Sequence, residues 1–220
     1  AIASAGFIRL QATADARGAS PLVPLTLFRD RNYLAGSVGI IAMGFMAAAV
    51  MLPIMLWLQT MQGIPAGEAG IIVAPMALVS LLISPLAGIM ADYVNPRILG
   101  VVGFSLLILS LLAAWWVMHV DALPWVLGLP IAGVGVGQSF IWGSNAATTL
   151  RDVPPVLMGA ASGVYNTSRQ VGSVVGVALV SAVMQTGDPA VALINSLLVI
   201  VVALVVGLVS ALCFRDTLQG

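Results

Sequence analysis

The sequence reads as an all-α membrane protein, a six-helix transmembrane bundle, on three observations. Hydrophobic residues make up 60% of the 220-residue chain and charged residues only 7%, against about 25% charged in an ordinary soluble domain. So few charges cannot cover the surface of a water-soluble fold of this size. The apolar residues gather into runs of roughly twenty or more, the length that crosses about 30 Å of hydrocarbon. Those runs are too long for barrel strands and lack strict alternation, which leaves helices as the spanning form. Net charge is zero, which offers no basic field for nucleic acid.

Taken in order, residues 1–10 resemble the tail of a preceding transmembrane helix. The chain starts Ala1-Ile2-Ala3, without an initiator Met or a charged region followed by a cleavage site, and this is expected of a segment cut from a longer polypeptide. Residues 11–32 turn polar around Gly18, Pro21 and Pro24 and read as a cytoplasmic linker. Six apolar spans follow at about 33–59, 69–91, 98–118, 123–149, 157–185 and 190–214, with a cytoplasmic tail over 215–220. Gly63-Ile64-Pro65, Asn95-Pro96, Asp121 to Pro124, Asp152 to Pro155 and Gly187-Asp188-Pro189 supply turn chemistry at the breaks. Pro53 is expected to kink the first span.

The charges set an orientation. Arg17, Arg29 and Arg31 precede the first full span, Arg97 lies in the second loop, Arg151 in the fourth, and Arg215 follows the sixth span. The first, third and fifth loops hold no Arg and carry Glu68, Asp121 and Asp188. Every second loop is basic, the positive-inside pattern, which places both ends of the six-helix unit in the cytoplasm. Trp115, Trp116 and Trp125 flank the third loop, where an outer aromatic belt is expected.

The fifth span carries the strongest functional signal. Arg169 falls about twelve residues into it, or roughly 18 Å at helical rise, near mid-membrane, where an Arg costs about 2.5–3.5 kcal/mol. At about 100° per residue, Ser162, Asn166, Arg169, Gln170 and Ser173 share one side with Gly159, Gly163 and Gly176, while Val164, Val171 and Val175 take the other. Two readings stand: a substrate cavity lined by these residues with Arg169 as a fixed positive charge, or a buried structural Arg satisfied by neighbouring helices. Gln138, Ser139, Ser144 and Asn145 in the fourth span carry the same pair of readings.

Other motifs read as packing. Gly133, Gly135 and Gly137 lack the G-x-G-x-x-G spacing and a preceding strand, and so indicate close helix approach, as does Gly172-x-x-x-Gly176. Met43, Met46, Met51 and Met55 read as apolar filler with a ligand-moulding alternative. His119 sits at an outer helix end, and Cys213, the single cysteine, reads as apolar filling. All eight acidic residues, Asp15, Asp30, Glu68, Asp92, Asp121, Asp152, Asp188 and Asp216, lie in loops or at span ends. A proton acceptor in a transport pathway needs a titratable group inside the membrane, so any such group belongs to polypeptide outside this chain. No Ser–His pair, paired carboxylate or metal cluster converges in the spans, which points away from an enzyme and offers no cofactor site.

The second cytoplasmic loop, Gly88-Ile89-Met90-Ala91-Asp92-Tyr93-Val94-Asn95-Pro96-Arg97, resembles the loop motif G-x-x-x-D-R-x-G-R-R of the major facilitator superfamily. Gly88, Asp92 and Arg97 match as a gating-loop motif; Tyr93, Asn95 and Pro96 depart from it. Physically, Gly88 permits close helix approach, and Asp92 is placed to cap the next helix or pair with Arg97. Pro21 to Tyr33 (PLVPLTLFRDRNY), Leu52-Pro53 through Gln59, Gly70 to Pro75, and Ala161 to Ala178 (ASGVYNTSRQVGSVVGVA) are similar to the fourteen-span drug/proton antiporter branch, the EmrB/QacA type.

The resemblance implies a six-helix bundle forming one half, the C-terminal half, of a major facilitator fold in a bacterial inner membrane. It implies proton-coupled efflux of lipophilic drugs or other small molecules by alternating access. The implied partners are the lipid bilayer, a small-molecule substrate, protons and the missing N-terminal half of the same polypeptide, with a periplasmic adaptor left open. The alternative from another class is an autonomous six-helix membrane protein, a channel-like oligomer or an assembly factor.

Overall fold

The computed structural model describes residues 25–214, apart from the side chains of Leu25 and Asp92. The expected helix tail over 1–10, most of the linker and the tail over 215–220 lie outside the described residues. Among the described residues no strand forms, and six helices are long and apolar enough to cross a membrane.

A short 3-10 turn, Leu25–Arg29, leads into the first helix, α1, which runs over Arg31–Met61. Asp30 caps it by accepting the Tyr33 backbone N–H at 2.7 Å, which satisfies one of the orphan donors at a helix start. The α-helical course is interrupted at Val50, three residues before Pro53, because Pro53 has no N–H to return to the preceding turn. It closes in a π turn, Trp57–Met61. The second helix, α2 (Ala66–Tyr93), carries Pro75 and Pro85 inside it. The others are α3 (Pro96–His119), α4 (Gly128–Leu150), α5 (Met158–Met184) and α6 (Pro189–Leu212). Pro96 and Pro189 open α3 and α6, where a missing N–H leaves no bond unmade. Asp188 caps α6 by accepting from Ala190 and Val191 N–H at 2.9 and 3.1 Å.

Packing places α1 against α4, α5 and α6; α4 also packs on α2 and α3, and α6 on α3 and α5. Ile40, Met43, Met46, Ile54, Trp57, Phe104, Leu107, Leu111, Leu197 and Leu204 fill the shared core. Met43 and Met46 are fully buried and Met51 and Met55 pack on the core's edge, so these methionines act as filling. The outward faces carry Leu81, Leu82, Leu109, Val202 and Val209, as expected where the solvent is lipid rather than water.

The helices meet at backbone distance through glycine. A Cβ placed on Gly172 would stand 2.1 Å from the Ile41 carbonyl oxygen, one on Gly176 2.6 Å from that of Phe45, and one on Gly44 2.2 Å from that of Arg169. The α1–α5 crossing therefore admits no side chain at these three points, as the Gly172-x-x-x-Gly176 spacing suggests. The Gly133–Gly137 run serves the same purpose for α4. Gly135 lies against the Met76 carbonyl of α2, while Gly133 and Gly137 lie against Ser110 and Gly103 of α3.

This contact pattern predicts opposite outcomes for two alanine substitutions on α5. Gly172→Ala is expected to destabilise the protein by about 1–3 kcal/mol through overpacking, read as a lowered thermal unfolding midpoint in detergent. Gly163→Ala meets nothing within 4 Å and is expected to leave the midpoint unchanged or raise it, since alanine is the better helix former by about 1 kcal/mol.

Candidate functional site

The α1–α5 crossing fixes the height and rotation of α5, and with them the polar face. Ala161, Tyr165, Gly172 and Gly176 are the side turned into the bundle. Next to it run Ser162, Arg169 and Ser173, half-buried, and then Asn166 and Gln170, exposed. Val171, Val174 and Val175 continue round to the far side, at 51%, 71% and 43% exposure. Helices α4 and α5 both lie on α1 but barely touch each other, so a groove separates them beside this polar face.

Arg169, the twelfth of the 27 residues of α5, reaches across that groove. Its guanidinium carbon lies 5.9 Å from the centroid of the Trp142 ring on α4, a cation–π contact worth about 0.5–2 kcal/mol. Its Nε is buried and has no hydrogen-bond partner among the described residues. An unmet buried donor costs about 1–3 kcal/mol, more when charged, which the Trp142 contact does not offset. Ser173 Oγ lies 3.2 Å from the Gly44 carbonyl oxygen and 3.1 Å from that of Arg169, donating its one proton between them. This ties α5 to α1 directly beneath the charge. Asn166 donates to the Ser162 carbonyl one turn back at 3.0 Å.

The α4 candidates divide. Gln138 donates to Ser80 Oγ of α2 at 2.7 Å, and Ser80 in turn donates to the Gly135 carbonyl at 3.1 Å. Gln138 is half-buried and stands one turn before Trp142 on the same face, so it borders the groove while holding α2. Ser139 and Ser144 donate to carbonyls of their own helix. Asn145, a cavity candidate with a helix-tie alternative, is 3% exposed. Its Nδ2 donates to the Gly36 carbonyl of α1 and to Tyr165 Oη of α5, both at 2.9 Å. It is a three-helix tie, placed inside because α4 turns that side toward α1. Trp142 and Tyr165 are the site residues that sequence reasoning passed over. Tyr165 stands one turn before Arg169, and Trp142 one turn after Gln138, so helical spacing carried both signals.

Of the gating-loop motif, Gly88 and Arg97 lie among the described residues. Gly88 is exposed and a Cβ there would meet nothing within 4 Å, so no helix of this bundle makes the close approach expected at that position. The cap of α3 is Asn95, whose Oδ1 accepts the Arg97 backbone N–H at 2.8 Å; Asn95 directly precedes Pro96 and so holds the position assigned to Asp92. The side chain of Asp92 lies outside the described residues. At the same end of the bundle, Tyr33 Oη donates to the Ala161 carbonyl at 3.0 Å and Arg31 Nε to the Cys213 carbonyl at 2.8 Å, which closes the start of α1 onto α5 and α6. At the opposite end His119 stacks on Trp115 at 5.0 Å, Trp115 donates to Asn195 at 3.2 Å, and Gln62 donates to Asp121.

The described residues thus form a six-helix apolar bundle, long and apolar enough to cross a membrane, with a polar, cationic face half-open at mid-span. The chain belongs to the Major Facilitator Superfamily, whose family model matches residues 7–177. It is 34% identical over 182 residues to an uncharacterized MFS-type transporter of Mycobacterium tuberculosis, covering 81% of this chain and 31% of that protein. It is 28% identical over 170 residues to the multidrug resistance protein Stp of the same species, covering 77% and 31%. The tetracenomycin C resistance and export protein of Streptomyces glaucescens is 31% identical over 182 residues, covering 79% and 32%. The chain thus spans about a third of the length of these relatives.

The buried tie yields a prediction. Asn145→Ala leaves Tyr165 Oη without its donor and is expected to cost about 0.6–1.7 kcal/mol, the range for hydrogen bonds between membrane helices, read as a lowered unfolding midpoint. Asn166→Ala, which loses only a bond to its own helix on the exposed face, is expected to leave the midpoint in place.

Proposed function

We propose that this chain is the C-terminal six-helix half of a secondary active exporter of the fourteen-span drug/proton antiporter type, moving lipophilic drugs or other small molecules outward by alternating access. The observation that carries the reading is the polar face of α5 beside the α4–α5 groove. Helices α2 and α5 are also the least covered of the six: 11% and 17% of their most apolar 18 residues are buried, against 61% for α1. Two spans left this open, one of them polar at mid-depth, suit a second bundle closing over a cavity, with the substrate held at the interface between halves. The named relatives that confer resistance or export a compound support the outward direction of transport.

In this reading Ser162, Asn166, Arg169, Gln170 and Ser173 line this half of the cavity, with Gln138 at its α4 border. Both ends of the bundle face the cytoplasm, a reading that the placement of Arg29, Arg31, Arg97 and Arg151 supports. The loop carrying Gly88, Asp92 and Arg97 lies at the inner gate, where the open space around Gly88 leaves room for a helix of the other half. Proton binding falls to the other half, because no Asp, Glu or His of the described residues lies at mid-span.

Export of the uncharged lipophilic dye Nile red from an efflux-deficient bacterial strain expressing the full-length polypeptide tests the proposal. Expression is expected to lower dye retention, and a protonophore is expected to restore it. Asn166→Trp, which places bulk on the exposed polar face without touching the helix crossing, is expected to cut export about tenfold, the usual size of a lost 1.4 kcal/mol, with folded yield unchanged. Undiminished export by a folded Asn166→Trp protein would refute the cavity assignment.

A further inference from the structure

We infer that the groove between α4 and α5 selects molecules carrying a negative charge beside an aromatic or apolar body. The inference rests on the half-exporter reading and names its substrate class. Three observations converge on it. The buried Arg169 Nε has no hydrogen-bond partner among the described residues, and the guanidinium lies over the Trp142 ring. The polar groups sharing the face, Ser162, Asn166, Gln170 and Ser173, are all neutral. The acidic side chains described in this bundle lie away from the face: Asp30 and Asp188 cap helices, Glu68 stands in the first turn of α2, and Asp121 and Asp152 are in loops.

A cation in low dielectric with no counter-charge raises the local affinity for an anion and repels another cation. A guanidinium presents several N–H groups in a fixed plane, which match the paired oxygens of a carboxylate or sulfonate. Trp142 beside it offers an apolar face on which an aromatic body stacks. Asn166 and Gln170 at the rim supply neutral donors and acceptors for uncharged polar groups. A carboxylate from the rest of the polypeptide is the competing acceptor. It would hold Arg169 in a lasting pair, whereas alternating access requires a face that opens and closes around its occupant.

The test compares two dyes of similar ring system and opposite charge, fluorescein and rhodamine 6G, exported by the full-length protein. Arg169→Gln is expected to lower the ratio of fluorescein to rhodamine 6G export about tenfold or more, the size of one lost charge-assisted hydrogen bond. Arg169→Lys, which keeps the charge, is expected to retain most fluorescein export, and folded yield from size exclusion checks each variant. Equal loss of both dyes in folded Arg169→Gln would overturn the inference, assigning Arg169 to structure or to a pair with the other half. Rhodamine 6G export without fluorescein export by the unaltered protein overturns it too and leaves the exporter reading standing. If the unaltered protein exports neither dye, Nile red export decides the exporter reading, and fluorescein anisotropy with purified protein decides the inference. Saturable binding lost in Arg169→Gln supports it; no binding overturns it.

Discussion

The backbone contact between α1 and α5 governs the rest of this structure. Gly44 sits under the Arg169 carbonyl, and Gly172 and Gly176 sit under the carbonyls of Ile41 and Phe45. In lipid no hydrophobic effect drives helices together, so close van der Waals approach and a few polar ties must hold them. The same crossing that supplies the approach also sets the rotation of α5. Because Gly172 and Gly176 must face α1, Arg169 and Ser173 fall at the margin of the contact, and Asn166 and Gln170 fall outside it. Close packing and the polar face are thus encoded in one 18-residue stretch, Ala161 to Ala178, with small residues fixing the register that presents the polar ones.

The polar ties follow the same economy. Asn145 on α4 reaches α1 and α5 at once, Ser173 joins α5 to α1, and Gln138 with Ser80 joins α4 to α2. Each uses a donor that would otherwise be unmet in hydrocarbon, and each bonds a carbonyl or hydroxyl on another helix. Arg169 departs from this pattern. Its Nε is buried without an acceptor, and its contact with Trp142 lies across a groove rather than inside a packed seam. A charge held so near mid-span without a counter-ion among the described residues is the feature least suited to a purely structural role.

The fold was largely legible in the sequence because hydrocarbon thickness imposes a length and composition that few other constraints produce. Pro53 announced the interruption of α1, and Gly172-x-x-x-Gly176 announced the tight crossing. The site was less legible. Asn145 and Asn166 both stood as cavity candidates, Asn145 with a helix-tie reading beside it, and the structure makes Asn145 a buried tie and leaves Asn166 exposed. The second loop was legible only in part: Asp92 was offered either as the cap of α3 or as a partner of Arg97, and Asn95 takes the cap because Pro96 fixes where α3 begins. Trp142 escaped notice because helical spacing, which sets it one turn after Gln138, does not tell a groove-facing aromatic from apolar filling until Arg169 is placed over it.

If the polar face of α5 lines a water-filled cavity between two halves, single cysteines along α5 must report it. The decisive measurement is labelling of Gln170→Cys and Val171→Cys by a membrane-impermeant thiol reagent, in the full-length protein with Cys213 replaced by Ala, in native membranes. Labelling at position 170 and protection at 171, which faces lipid, is the expected result. Protection at 170 with labelling at 171, or protection at both, would contradict a cavity on this face.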